Sequence, residues 1–69
     1  MKNWKHIGGG CDVGTAAKGK KYPCDDSYEN VKTKKVVTVY STTTAHFKMP
    51  QYVNSISELL KRGCVNKQH

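Results

Sequence analysis

The chain contains few of the large apolar residues from which a protein core is built. Leu, Ile, Val and Phe together make up 12 of its 69 residues, and there is a single Trp. With a net charge of +7, this composition approaches that of disordered chains, which bury too little apolar surface to fold. Nine of the twelve lie between Val36 and Val65. We therefore expect one small domain over 1–69, with an ordered core at 35–65 and a loop-rich, flexible segment at 1–34.

Long hydrophobic runs are also absent. No stretch approaches the roughly 20 apolar residues that a membrane-spanning helix requires, so we expect no membrane contact. The basic residues at the start are not followed by the apolar run of a secretory signal. Together these two absences predict a cytoplasmic protein.

Cysteine is scarce and odd in number: Cys11, Cys24 and Cys64. An odd count favours reduced thiols over a complete disulfide framework. Two alternatives remain open. The first is a bridge between Cys11 and Cys24, and the second is a structural zinc site formed by the three cysteines with His6, His46 or His69. Because no C-x-x-C pair is present, we predict no metal and no cofactor.

Carboxylates are few, and no catalytic arrangement stands out. Asp25 and Asp26 are adjacent, which is more typical of a turn or a helix cap than of an acid/base pair. Their charges would also disfavour a thiolate at Cys24. The segment Gly14–Lys21 matches the phosphate-loop pattern G-x-x-x-x-G-K, but Lys21 stands where that motif needs a Mg²⁺-binding hydroxyl. We therefore predict that the protein is not an enzyme.

The segment 35–48 is dense in β-branched and aromatic residues, which favour strands. Ser41, Thr42 and Thr43 are the polar residues at which this long stretch would bend. The pattern predicts a β-hairpin with strands at about 35–41 and 44–48. In contrast, Asp26 and Glu29 have the spacing of a capping box, which predicts a short helical turn at 27–31.

A helix is predicted at about 51–62. One apolar stripe with helical spacing is formed by Tyr52, Val53, Ile56, Leu59 and Leu60. Pro50 suits the first turn, and Gly63 suits the left-handed position just past the end. Ser55 and Glu58 form a second capping box, which offers a later start and a helix of about two turns. The predicted fold class is α+β, with the hairpin packed against this helix.

Positive charge is the strongest indication of function. Eleven of the twelve cationic residues are lysines, and lysine attracts phosphate without the fork with which arginine reads a guanine edge. We therefore expect a regulatory module that binds the backbone of DNA or RNA rather than its bases. The expected contact residues are Lys18, Lys20, Lys21, Lys32, Lys34, Lys35, Tyr40, His46 and Lys48.

The alternative is a protein-binding regulator or inhibitor that uses the hairpin edge and the helix against an acidic partner. Unpaired backbone groups along a strand edge can extend a partner's sheet, or pair with a second copy of the chain to form a dimer. Opposite charge would guide such an encounter.

Overall fold

The computed structural model describes residues 2–66. Its strands are β1 (Trp4–Cys11), β2 (Cys24–Asn30), β3 (Val36–Ser41) and β4 (Tyr52–Val53), and its helices are α1 (Thr43–His46) and α2 (Ile56–Lys61), with a 3-10 turn at Gly14–Ala16. The strands form one antiparallel sheet in the order β3-β2-β1-β4. The α+β class is confirmed.

The hairpin in this sheet is not the predicted one. The strand expected at about 35–41 is present as β3, but its partner is β2, and 44–48 is not a strand. Instead, the side-chain oxygen of Thr42 accepts a hydrogen bond from the backbone N–H of Ala45 at 3.3 Å and begins helix α1. Threonine hydroxyls compete in this way with strand pairing, so β-propensity was misleading here.

The N-terminal half supplies the two longest strands, so the expected loop at 4–11 and 24–30 and the helical turn at 27–31 are wrong. In β2, the side chains of Cys24, Asp26 and Tyr28 are buried while the residues between them are not. This period of two defines a strand. Because one member of the buried row is an aspartate, the alternation is not apparent as a hydrophobic pattern.

Helix α2 begins at Ile56 with Ser55 as its N-cap, so the later start is correct and 51–55 is not helical. Part of that segment is a strand instead, because Tyr52 pairs with Lys5 of β1 and Val53 pairs with Trp4. Within residues 2–66, no helix combines the length and the apolar character needed to cross a membrane.

The end of helix α2 matches its prediction. Gly63 has φ +105°, the left-handed conformation expected just past a helix. The backbone N–H groups of Gly63 and Cys64 donate to the carbonyls of Leu60 and Leu59, which is the Schellman arrangement.

Helix α2 packs on the inner face of the sheet through Leu59. It leads from β4 at one edge to Val65, which bridges Tyr40 on β3 at the other edge. The buried cluster consists of Tyr28, Val39, Val53, Leu59 and Cys64, with Trp4, Val37, Met49 and Ile56 packed against it. The largest fully buried side chain is that of Tyr28, so the core is not confined to the C-terminal half.

Candidate functional site

A buried carboxylate held by two imidazoles lies on the inner face of the sheet. Asp26 is 1% exposed. Its Oδ1 lies 2.8 Å from His6 Nε2, and its Oδ2 lies 3.0 Å from His46 Nδ1. Each distance is that of a hydrogen bond in which the ring N–H donates to the carboxylate. A buried charge requires such partners, and here they come from β1 and from the end of α1.

Gly9 makes room for this carboxylate. It lies opposite Asp26 in the β1–β2 ladder, and a Cβ at Gly9 would approach Asp26 Oδ1 to 2.3 Å. The register shifts between His6 and Gly8. Since a bulge adds one residue to the alternation, it places both His6 and Gly9 opposite inward-facing residues of β2. Gly9, though not the glycines on either side of it, is therefore required by the aspartate that lies against it.

A disulfide adjoins the cluster. Cys11 and Cys24 are directly paired across β1 and β2 and are bonded to each other, so the expectation of reduced thiols is wrong for these two. The two sulfurs and one ring nitrogen of His46 all lie within 4.8 Å of one another. The hydroxyl of Thr43 lies 3.8 Å from Cys24 Sγ. Helix α1 thus covers the disulfide and places His46 between the sulfurs and the carboxylate.

Cys64 lies apart from the disulfide, as a free and buried thiol whose S–H donates to Met49 Sδ at 3.6 Å. A zinc site that uses all three cysteines is therefore not assembled within residues 2–66, and His69 lies outside them. Burial raises the pKa of the Cys64 thiol, and the negative charge of Asp26 raises it further against the opposing effect of Arg62.

Tyr28 joins the cluster to the core. Its ring meets the His6 ring edge to face at 5.1 Å, and its hydroxyl donates to the carbonyl of Pro50. Burial first, and then the charges of Asp26 and Cys64, raise the pKa of Tyr28 to about 12, although Arg62 acts in the opposite direction. The phenol therefore stays protonated well above the pH at which a solvated tyrosine ionises.

The lysines of the predicted site fall into two groups. The loop group, Lys18, Lys20 and Lys21, lies between β1 and β2 beside the disulfide. The turn group, Lys32, Lys34 and Lys35, lies between β2 and β3 at the other end of the ladder. Because β2 advances roughly 3.4 Å per residue from Cys24 to Asn30, the groups are roughly 20 Å or more apart.

Local contacts shape each group. In the loop group, Lys20 Nζ binds Asp12 Oδ2 at 2.7 Å, and Lys21 Nζ lies 5.6 Å from the centre of the Tyr22 ring. In the turn group, the side-chain oxygen of Asn30 accepts hydrogen bonds from the backbone N–H groups of Lys32 and Thr33, and all three lysines are exposed.

The other three predicted residues do not form one surface. Tyr40 is half-buried on the outer face of the sheet, His46 is turned inward to Asp26, and Lys48 is exposed after α1. The stacking role expected for His46 conflicts with its hydrogen bond. The most exposed aromatic side chain in the described part of the chain is that of Phe47, at 80%.

The loop that resembles a phosphate-binding motif joins two antiparallel strands. A 3-10 turn begins at Gly14, and β2, rather than a helix, follows at Cys24. Phosphate loops depend on the helix that follows them. The loop therefore lacks the strand-loop-helix arrangement of that motif.

Comparison of the chain with protein-family models, with curated proteins and with solved structures gave no significant match.

Sequence reasoning missed the His6, Asp26 and His46 cluster. Its members are 20 residues apart on either side of Asp26, so no local motif joins them. The available signal was Asp26 itself, which stands in an alternating row with Cys24 and Tyr28. A carboxylate at an inward position of a strand needs hydrogen-bond donors on the same face, and histidine is one of the residue types that can supply them.

Proposed function

We propose that the protein is a non-enzymatic module that contacts nucleic-acid backbone through the loop group and the turn group of lysines. The observation that carries this proposal is the placement of three lysines at each end of the β1–β2 ladder, in a chain of net charge +7. Phosphates that are neutralised by lysine release counterions, which favours binding without reading sequence.

The acidic residues are arranged so that they leave the two ends positive. Asp26 is buried against two imidazoles, and Asp12 is bound to Lys20. Asp25 and Glu29 lie on the face opposite the core, one residue in from either end of β2. The three lysines at each end therefore still outnumber the carboxylates near them. This pattern favours a partner held at the two ends over one lying flat on the outer face of the sheet.

The spacing sets the size of the partner. A separation of roughly 20 Å corresponds to about six steps of a duplex at 3.4 Å per base pair. A duplex that spans both groups should therefore bind more tightly than one that reaches a single group. Six lysines would give a slope of log K against log salt of about −5.

The test is fluorescence anisotropy with hairpin duplexes of 5 and 16 base pairs at two or more salt concentrations. Replacing either lysine group with glutamine should weaken binding to the long duplex and reduce the slope by two to three. A matched control is K2Q/K5Q/K61Q, which removes three charges outside both groups. Equal weakening in the control, or equal affinity for both duplex lengths, would contradict the two-ended contact.

A second candidate function rests on the outer edge of β3. Tyr40 exchanges both backbone hydrogen bonds with Val65, so its polar groups point away from β2. By strand alternation, those of Val36 and Thr38 point the same way. In the described chain, β3 has no further named strand on that side, which favours addition of a strand from a protein partner or from a second copy.

This candidate has its own variant. Val36→Pro removes only an outward N–H, which an edge strand tolerates, so it should abolish dimerisation or partner binding while leaving oligonucleotide affinity unchanged. Light scattering across a concentration series measures the dimer. An unchanged oligomeric state in wild-type protein over that series would remove the dimer from consideration.

A cytoplasmic location stays a prediction. A reducing cytosol would open the disulfide between Cys11 and Cys24, whereas oxidising compartments preserve such bonds. The location of the protein would therefore determine whether Cys11 and Cys24 are bonded or reduced.

A further inference from the structure

We propose that Cys11, Cys24 and His46 form a zinc site when the disulfide is reduced, with Asp26 orienting the histidine. This site differs from the lysine groups and uses residues that the proposed function does not need. It also differs from the three-cysteine site considered from the sequence, because Cys64 takes no part.

The ligand atoms are already close together. The sulfurs of Cys11 and Cys24 and a ring nitrogen of His46 lie within 4.8 Å of one another. Tetrahedral zinc with sulfur ligands at about 2.3 Å places two sulfurs about 3.7 Å apart. Side-chain rotation on two adjacent strands provides that separation once the S–S bond is broken. Two thiolates, one imidazole and a water complete a four-coordinate site.

Asp26 supplies the second layer of this site. In zinc proteins, a ligating histidine donates its other ring N–H to a carboxylate, which fixes the ring and its tautomer. Here Nδ1 of His46 lies 3.0 Å from Asp26 Oδ2. When Nδ1 donates the proton, Nε2 keeps its lone pair for the metal. His6 holds the second oxygen of Asp26 at 2.8 Å, so the carboxylate itself is fixed.

Ser41 provides an independent indication. It lies opposite Cys24 in the β2–β3 ladder and is 0% exposed, and its hydroxyl has no hydrogen-bond partner among the described residues. A buried hydroxyl without a partner calls for an explanation. A thiolate at Cys24 would offer the Ser41 hydroxyl a hydrogen-bond acceptor on the neighbouring strand. A disulfide sulfur is a weaker acceptor.

A dithiol can reduce the bond between Cys11 and Cys24 by thiol–disulfide exchange. A thiolate of the reductant attacks one sulfur of the disulfide, a mixed disulfide forms, and the reductant's second thiol releases it. The protein gains two electrons and two protons, and the reductant is oxidised to its own disulfide. Zinc binding then releases two thiol protons to solvent. Cys11 is half-buried rather than enclosed, which gives the reductant access.

The experiment titrates full-length protein with Co²⁺ and, by competition, with Zn²⁺, before and after reduction by a phosphine. Reduced protein should bind one ion with the thiolate-to-cobalt absorption of two sulfurs. Oxidised protein should bind at least about 100-fold more weakly. Binding of equal strength in both states, or no ion bound by reduced protein at a tenfold molar excess of metal, would overturn the proposal.

Variants separate the roles of the residues. H46Q should weaken zinc binding by about 100-fold or more, and D26N by about 10- to 100-fold, whereas Ser41→Ala should have a smaller effect. Cys64→Ala is the matched control and should leave affinity unchanged. An affinity lost with Cys64 and kept without His46 would assign the metal elsewhere.

Nitrogen NMR of the histidine rings in reduced wild-type protein does not depend on any variant folding. Zinc should shift Nε2 of His46 and leave His6 Nε2 bonded to Asp26. Unchanged His46 resonances at saturating zinc would refute the ligand assignment.

Discussion

Gly9→Ala tests whether the buried carboxylate organises this fold. The added Cβ would lie 2.3 Å from Asp26 Oδ1 and 2.5 Å from the backbone oxygen of Asp25. The carboxylate would have to move by about 1 Å to reach ordinary contact, which exceeds the tolerance of its hydrogen bonds to His6 and His46. The carbonyl of Asp25 can move only if the β1–β2 ladder opens.

The expected cost is large for so small a chain. Hydrogen bonds to a charged group contribute about 1.5–3 kcal/mol each, and breaking a buried charged cluster costs about 3–5 kcal/mol. A chain of 69 residues has a total stability of roughly 3–10 kcal/mol. We therefore expect Gly9→Ala to lower the free energy of unfolding by about 3–5 kcal/mol, at least about a third of the total.

Urea denaturation, followed by far-UV circular dichroism, measures this loss. Gly8→Ala and Gly10→Ala are matched controls, because a Cβ at either position meets nothing within 4 Å and neither residue has a positive φ. Each should change stability by less than about 1 kcal/mol. The reasoning would be refuted by a Gly9→Ala protein whose stability lies within about 0.5 kcal/mol of Gly8→Ala.

Two further predictions concern the disulfide and Tyr28. Replacing Cys11 and Cys24, which are 13 residues apart, with serine should lower the free energy of unfolding by about 3 kcal/mol through loop-closure entropy; an unchanged urea midpoint would contradict this. Burial raises the folded-state pKa of Tyr28 to about 12 from 10.0. The stability that the protonated phenol contributes is therefore fully present below pH 10 and is lost as the pH rises towards 12. The free energy of unfolding should fall there by up to about 1.4 kcal/mol per pH unit. Tyr28→Phe should lose that part of the pH dependence in urea titrations between pH 9 and 12, and a slope identical to wild type would refute it.

Several elements were predictable because they depend on short stretches of chain. The strand at 36–41 follows from β-branched residues. Gly63 follows from the left-handed conformation that ends a helix, and Ser55 with Glu58 marked the start that α2 uses. In each case the deciding residues lie within a few positions of one another, so local physics is sufficient.

Other elements depended on contacts between distant residues. Thr42 caps a helix where β-propensity predicted a strand. Residues 52–53, which were predicted to be helical, pair with β1 as a strand. In the strand at 24–30 the buried row is cysteine, aspartate and tyrosine, and the strand at 4–11 contains three successive glycines, so neither shows a hydrophobic row. Their stability comes from hydrogen bonds and a disulfide formed across the sheet, which no window of sequence contains.

The site divides in the same way. Composition by itself determined that the surface is basic and that lysine rather than arginine carries the charge. Only the tertiary structure decided that the lysines separate to two ends of a ladder, that His46 turns inward, and that Asp26 lies between His6 and His46 beside two paired cysteines. Net charge is a sum over residues, so it can be read from the composition whatever the order of the residues. A cluster of side chains depends instead on which strands become neighbours and on the face to which each side chain points.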